Sequence, residues 1–280
     1  MSSSTDDLPG KKFSRLLDLL RSSGSAVLAY SGGVDSSFLL KALQVSGVRY
    51  LAVTAQSPAL PAQDLRDALA FCRETGSPHR VVEADEFSNE QFLANPPDRC
   101  FHCKDALFGK LTSIAQEQGF SSVFDGSNAD DSSDYRPGRK AAAAHGVRSP
   151  LAECGLTKEE IRLLSRELGL PTWNRPASPC LSSRIPYGQR IEPADLRRIE
   201  AAEEFLRSLA LGEVRVRLHG DLARIEVTAE GFRQVLQPQA RAAVVEKLQG
   251  LGFAFVALDL QGYRTGSMNR VLAAEDTLTL

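Results

Sequence analysis

The sequence predicts an α/β protein: a doubly wound parallel sheet, followed by a smaller C-terminal α+β domain. Three observations lead there. Between Ala26 and Gly126, short apolar runs of strand character alternate with stretches of helical periodicity, the pattern of a parallel sheet covered on both faces. From Pro171 the composition changes, and Pro171, Pro176, Pro179, Pro186 and Pro193 crowd a stretch with little periodicity. Beyond it, two runs that alternate apolar and charged residues flank Gly220-Asp221, as in a hairpin. The expected division is a disordered tail over 1–12, a nucleotide-binding domain over 13–175, and a linker with a second domain over 176–280.

The elements follow in order. Residues 13–20 have helical spacing and are expected to pack beside the first strand, 26–30. A Ser-Gly-Gly-Val-Asp-Ser-Ser turn over 31–37 leads into a helix that continues through 38–43. A second strand is predicted over 48–54 and a helix over 61–74, which Gly76-Ser77-Pro78 stops. Residues 79–83 form a third strand, 105–118 a helix and 122–126 a fourth strand. In the C-terminal part, 193–209 is an amphipathic helix with Leu196, Ile199, Ala202, Phe205 and Leu206 at helical intervals. Strands over 214–218 and 223–227, a helix over 240–248 and a strand over 253–258 complete that domain.

With 280 residues the chain can bury one large core or two modest ones. No apolar run approaches the ~20 residues of a membrane span. The polar start, 1–7, lacks the basic and apolar regions of a signal peptide, so a cytoplasmic location is expected. A net charge of −2 argues against a broad nucleic-acid surface. The cysteines are Cys72, Cys100, Cys103, Cys154 and Cys180, an odd set that points to metal or catalytic use rather than a disulfide framework. Cys72 and Cys154, in apolar settings, are expected to pack as small hydrophobes.

Chemistry concentrates first in the turn over 31–37. Gly32 and Gly33 permit a sharp bend and a close ligand approach. The free N–H groups there, at the start of a helix, converge on one spot and favour an anion, with the Ser31, Ser36 and Ser37 hydroxyls as further donors. Asp35 is acidic where phosphate is expected, a place for holding Mg²⁺ on it. No lysine follows the glycines, so this is not the G-x-x-x-x-G-K-[ST] loop. Asn128 and Asp130, after the fourth predicted strand, are candidates for the same nucleotide crevice, the alternative being a solvated acidic loop. Cys100 and Cys103, three apart, can grip one metal ion or two corners of an iron–sulfur cluster. Cys180 is the third candidate ligand, with a structural zinc or buried thiols as the alternative. Arg215 and Arg217 lie two apart on a predicted strand and so share a face. With Arg264 they can hold a phosphate or carboxylate, or cover a solvated sheet face.

The first motif resembles the loop of the ATP pyrophosphatases, which cleave ATP to AMP and pyrophosphate. Nearly the whole chain, from about Phe13, resembles the LarE family of ATP-dependent sulfur transferases, whose fold is adenine nucleotide α-hydrolase-like. The resemblance is carried by the Ser-Gly-Gly-Val-Asp-Ser run over 31–36, Pro-Cys-Leu-Ser-Ser-Arg-Ile-Pro-Tyr-Gly over 179–188, Arg215-Val216-Arg217 with His219-Gly220, and Gly-Tyr-Arg-Thr-Gly-Ser-Met-Asn over 262–269. It implies adenylation of a carboxylate of pyridinium-3,5-biscarboxylic acid mononucleotide by ATP and Mg²⁺, followed by thiocarboxylate formation, in biosynthesis of the nickel-pincer nucleotide of lactate racemase. It implies ATP contacts at Ser31, Gly32, Gly33, Asp35 and Ser36, and substrate-phosphate contacts at Arg215, Arg217 and Arg264, with Glu203 at the same site. Sulfur would come from Cys180, sacrificed to dehydroalanine, or through a [4Fe–4S] cluster on Cys100, Cys103 and Cys180 resupplied by a sulfide or cysteine-derived donor. Family members are homo-hexamers. The rival expectations are a tRNA-thiolating enzyme with the same loop, and a non-catalytic nucleotide- or metal-binding protein.

Overall fold

The computed structural model describes residues 8–132 and 138–264. The chain divides into two units, one formed by 1–89 and 98–178, the other by 90–97 and 179–280. Among the described residues no helix is long and apolar enough to cross a membrane.

The first unit alternates helix and strand as the periodicity predicts. Helix α1 (Leu8–Ser22) precedes β1 (Ser25–Ala29), and α2 (Val34–Ser46) leads to β2 (Arg49–Gln56). Helix α3 (Ala62–Glu74) then leads to β3 (His79–Glu83). After the short α4 (Glu90–Leu93), which belongs to the second unit, α5 (Arg99–Gln118) leads to β4 (Ser122–Phe124). Helices α6 (Gly138–Ala144), α7 (Pro150–Glu153) and α8 (Lys158–Glu167) close the unit. The four strands are parallel in the order β3-β2-β1-β4. The chain therefore steps outward from β1 to β3 and then returns to the other side of β1, which opens a crevice at the carboxyl ends of β1 and β4. Two apolar cores support the sheet. One gathers α1, α2, α3 and α8 residues such as Leu16, Phe38, Phe71 and Ile161. The other gathers α5 and α6 residues such as Phe108, Leu111 and Ala141 against Val27, Val53 and Val123.

Three helix starts come several residues earlier than the sequence expectation, one of them α2, which begins at Val34 inside the expected 31–37 turn and so takes in Asp35, Ser36 and Ser37. Helix α1 begins at Leu8, so residues 8–12 of the expected tail are helical, and 1–7 lie outside the described residues. Helix α5 begins at Arg99 rather than at 105, which puts Cys100 and Cys103 in its first turns. A tail reading and a metal-motif reading both discounted residues that helical hydrogen bonding absorbs.

The second unit has a three-stranded sheet, order β5-β6-β7. Helix α9 (Pro193–Ser208) starts on a proline, whose missing N–H costs nothing at a first helical position. Strands β5 (Val214–His219) and β6 (Leu222–Val227) form the expected hairpin across Gly220-Asp221. Helices α10 (Ala229–Val235) and α11 (Pro238–Gly250) follow, and β7 (Phe255–Leu258) joins β6 in parallel. The segment 90–97 is part of this unit: buried Asn95 donates from Nδ2 to the carbonyls of Ile185, Pro186 and Gln189, at 3.2, 2.8 and 3.1 Å. The sequence division, made at one point in the chain, did not include this segment.

Candidate active site

The loop between β1 and α2 occupies the crevice that the strand order creates. Gly32 has φ +72°, and a β-carbon there would stand 3.0 Å from the Ala68 Cβ on α3, so the loop is seated directly on that helix. Only glycine combines that dihedral with that approach. Ser31 Oγ and Ser36 Oγ lie 3.1 Å apart, and Ser36 Oγ donates to the Gly33 carbonyl at 3.3 Å. Gly126, at the end of β4, approaches just as closely, since a β-carbon there would meet the Ser36 amide at 3.1 Å.

Below the loop is a cavity of about 300 Å³. Its polar lining is Ser31, Gly33, Asp35 and Ser36 together with Asp125, Ser127 and Asp131. The lining also includes the apolar Val53, Ala55, Leu60, Leu107 and Phe108, with Lys104 Nζ 5.8 Å from the Phe108 ring centroid. Such a mixed lining suits a ligand that combines a flat apolar ring with a charged tail. Asp35 Oδ2 accepts from Lys158 Nζ at 2.7 Å, while its Oδ1 is buried with no hydrogen-bond partner. Lys158 is the first residue of α8, and its backbone N–H donates to Asp130 Oδ2 at 2.8 Å. The Thr157–Glu160 capping box fixes that helix start.

Arg175, from the proline-crowded stretch, reaches the rear of the loop. Its guanidinium donates to the Gly32 carbonyl at 3.2 Å, to Asp64 Oδ1 at 2.9 Å and to Asp67 Oδ2 at 2.7 Å. Neither Lys158 nor Arg175 was singled out from the sequence. Each meets its partner across more than a hundred residues, and no local signal marks such a pair. Beneath the loop, burial raises the Tyr30 phenol well above its ordinary range and pushes the Cys72 thiol up to about 11, so both are neutral structural groups.

The expectation for Asn128 and Asp130 changes. Neither lines the cavity. Asn128 is buried, its amide oxygen accepts from the Asp130 N–H at 2.9 Å, and its own N–H donates to Asp131 Oδ2 at 3.0 Å. The Asn128 and Asp131 side chains thus fold onto the local backbone, as in Asx turns, while Asp130 ties the loop to the start of α8.

In the second unit the turn over Leu181–Arg184 follows Cys180, whose side chain is exposed. Arg184 is fully buried and fixes the backbone there, donating to the Pro179 and Cys180 carbonyls at 2.7 and 3.1 Å. Its Nε and NH2 meet Glu203 Oε1 and Oε2, both at 2.9 Å. Burial alone would lower the Arg184 pKa, but the hydrogen bonds and charge of Glu203 outweigh it and the net shift is upward. For Glu203 burial acts upward, and the Arg184 contacts hold the carboxyl below its ordinary range.

Glu203, which the resemblance puts at the substrate-phosphate site, thus has both carboxylate oxygens engaged by Arg184. It is fully buried, and it also accepts from Arg207 at 2.8 Å and from the Val216 N–H at 3.1 Å. Strand β5 is a sheet edge, so this carboxylate covers one of its outward N–H groups. Arg217 donates to the Ser183 carbonyl at 3.0 Å and to Glu226 Oε2 at 2.8 Å. Arg215 donates to the Val214 carbonyl at 2.7 Å and lies 5.0 Å from the Tyr263 ring centroid. Both arginines are buried, whereas Arg264 is exposed. Residues 265–269 of the last motif lie outside the described residues.

Cys100 is exposed and Cys103 half-buried, one turn apart on α5 in the first unit, and Cys180 belongs to the second. Among the described residues no three His, Cys, Asp or Glu side chains are grouped to hold a metal ion.

Comparisons with known proteins add the following. No family model matches the chain. It is 38% identical to pyridinium-3,5-bisthiocarboxylic acid mononucleotide synthase of Lactiplantibacillus plantarum, over 96% of this chain and 95% of that protein. It is 46% identical to an uncharacterized protein of Synechocystis, over 88% of this chain and 92% of that one. The tRNA-specific 2-thiouridylase MnmA of Rickettsia africae is 26% identical over 58% of this chain, which spans 55% of that enzyme's length.

Proposed function

The chain belongs to the LarE family, that of the Lactiplantibacillus synthase, and on that premise we propose that it is an ATP-dependent sulfurtransferase acting on pyridinium-3,5-biscarboxylic acid mononucleotide. The product is a thiocarboxylate, a step toward the nickel-pincer nucleotide of lactate racemase. The observation that carries the reading is the match to that synthase over both units, the one with the phosphate loop and the one with the exposed cysteine.

The chemistry runs in two steps. A carboxylate resists substitution because its leaving group would be oxide. An oxygen of the substrate carboxylate attacks the α-phosphorus of ATP, pyrophosphate departs, and the acyl adenylate now carries AMP as leaving group. In this reading the adenine packs on the apolar lining of the cavity, and the loop N–H groups with the Ser31 and Ser36 hydroxyls meet the charge building on pyrophosphate. Asp35 would hold Mg²⁺, and its buried, unpartnered Oδ1 suits a cation. Bound there, Mg²⁺ would neutralise phosphate charge.

Sulfur then attacks the acyl carbon and AMP leaves. The Cys180 side chain is exposed and Arg184 fixes the backbone that carries it, which suits a nucleophile. If Cys180 itself attacks, loss of its α-proton and cleavage of the Cβ–S bond release the thiocarboxylate and leave dehydroalanine. In the other route that the family resemblance offers, Cys180 would instead be a [4Fe–4S] ligand with Cys100 and Cys103; all three thiols are exposed or half-exposed, and the latter two are one turn apart. Such a cluster would supply sulfide already deprotonated. Arg215, Arg217 and Arg264 hold the substrate phosphate in this reading, with Glu203 fixing Arg184 from behind.

The test supplies ATP and the biscarboxylic mononucleotide, then follows pyrophosphate and the exchange of oxygen for sulfur by mass. Asp35→Ala is expected to abolish pyrophosphate release. Cys180→Ala is expected to keep the release and stop the exchange. Wild-type protein that releases no pyrophosphate with this substrate overturns the reading.

A further inference from the structure

We propose that Arg175 is a positioning residue that aims the phosphate-binding donors of the loop from behind; this rests on the reading of that loop as an ATP site. A trans peptide sets its C=O and N–H on opposite sides, and no peptide in the described residues is cis. Arg175 holds the Gly32 carbonyl, so the Gly33 N–H of the same peptide is turned the other way. That N–H points at Ser31 Oγ, 3.4 Å away, and Ser31 and Gly33 both line the cavity. Gly32 has no side chain to hold the peptide plane, and both of its neighbouring bonds are freely rotating glycine torsions. An external strut is what stops this peptide from flipping and presenting a carbonyl to an incoming phosphate.

The strut is itself fixed at both ends. The guanidinium also engages Asp64 and Asp67 on α3, the helix on which Gly32 is seated. Two carboxylates balance the cation, so Arg175 brings no net positive charge to the loop; its contribution is orientation. Its backbone carbonyl accepts from Arg162 NH2 at 2.8 Å, and Arg162 is on α8, the helix whose first residue holds Asp35. One connected set of side chains thus sets both the loop's donors and its carboxylate. Arg175 is also five residues before Cys180, so the strut sits on the segment that leads to the sulfur donor.

A residue that only stabilises the unit and one that aims the loop differ in what they do to two ligands. Binding of adenosine and of inorganic pyrophosphate with Mg²⁺ is measured by calorimetry on the full chain. Arg175→Ala is expected to weaken pyrophosphate about 10-fold or more, the scale of a lost hydrogen bond to a charged group, and to leave adenosine within about twofold. Arg175→Lys, which can reach the carbonyl but not span all three acceptors, is expected to fall between the two, and it carries the comparison if the alanine variant does not fold. Equal losses for both ligands, or no loss for either, overturn the proposal. Wild-type protein that binds neither ligand overturns the ATP-site reading itself, a result distinct from wild-type binding that the variants leave unchanged.

Discussion

Glu86 shows how much a single carboxyl depends on where the fold sets it. It lies almost wholly buried in the turn Glu86–Ser88, and burial raises its pKa above the ordinary carboxylate range against the hydrogen bond from Ser57. The folded protein thus holds this proton more tightly than the unfolded chain does. Its contribution to stability is complete below the unfolded carboxylate pKa and is lost as pH rises through the folded one. Glu86→Gln, which keeps an acceptor for Ser57 and never ionises, is expected to match the wild type in urea at low pH and to exceed it at neutral pH. A variant weaker than wild type at neutral pH would show that Glu86 is stabilising as an anion. Asp35 is the opposite kind of residue, legible at once because a carboxylate two positions after paired glycines is conspicuous. Its partner Lys158 was not legible, since a lysine at a helix start is ordinary until the fold carries it to that loop.

At the scale of elements, Glu203 joins three: helix α9 that bears it, the turn holding Arg184, and edge strand β5 through Val216. Removing one partner of a buried ion pair leaves the other charged and unpaired, at a cost of about 3–5 kcal/mol. Glu203→Ala is expected to lower stability by that amount, read from the urea midpoint. Arg207→Ala, which removes the half-exposed cation on the same carboxylate, is expected to cost about 1 kcal/mol or less. Equal effects would mean that Arg184 finds another acceptor. The strands and most helices here were legible because burial on two faces or one writes itself as apolar runs and 3.6-residue spacing. What that signal left out is specific. Only the family resemblance put Glu203 at a phosphate, since acidic and basic residues near one strand look alike in sequence whether they face a ligand or each other. It started α5 at 105 because Cys-Phe-His-Cys reads first as a ligand motif. The parallel pairing of β7 with β6 was also invisible, since a strand's partner is not encoded in its own alternation.

The whole molecule is two units between which the chain passes three times, at 89–90, 97–98 and 178–179. The second unit takes residues 90–97 from within the span of the first, and Asn95 with the Leu93 carbonyl organises 185–191 through five hydrogen bonds. A fragment of residues 179–280 alone lacks them. It is expected to show a broadened, less cooperative melt by circular dichroism, restored when a peptide of residues 88–98 is added in excess. A cooperative melt without the peptide would show that 90–97 is only an accessory to that unit. The same arrangement bears on synthesis. A ribosome releases this chain from its N-terminus, so Asn95 emerges with three carbonyl partners not yet translated. Until then its amide must stay hydrated or be shielded by a chaperone. The second unit can close on Asn95 only once residues 185–191 have been made.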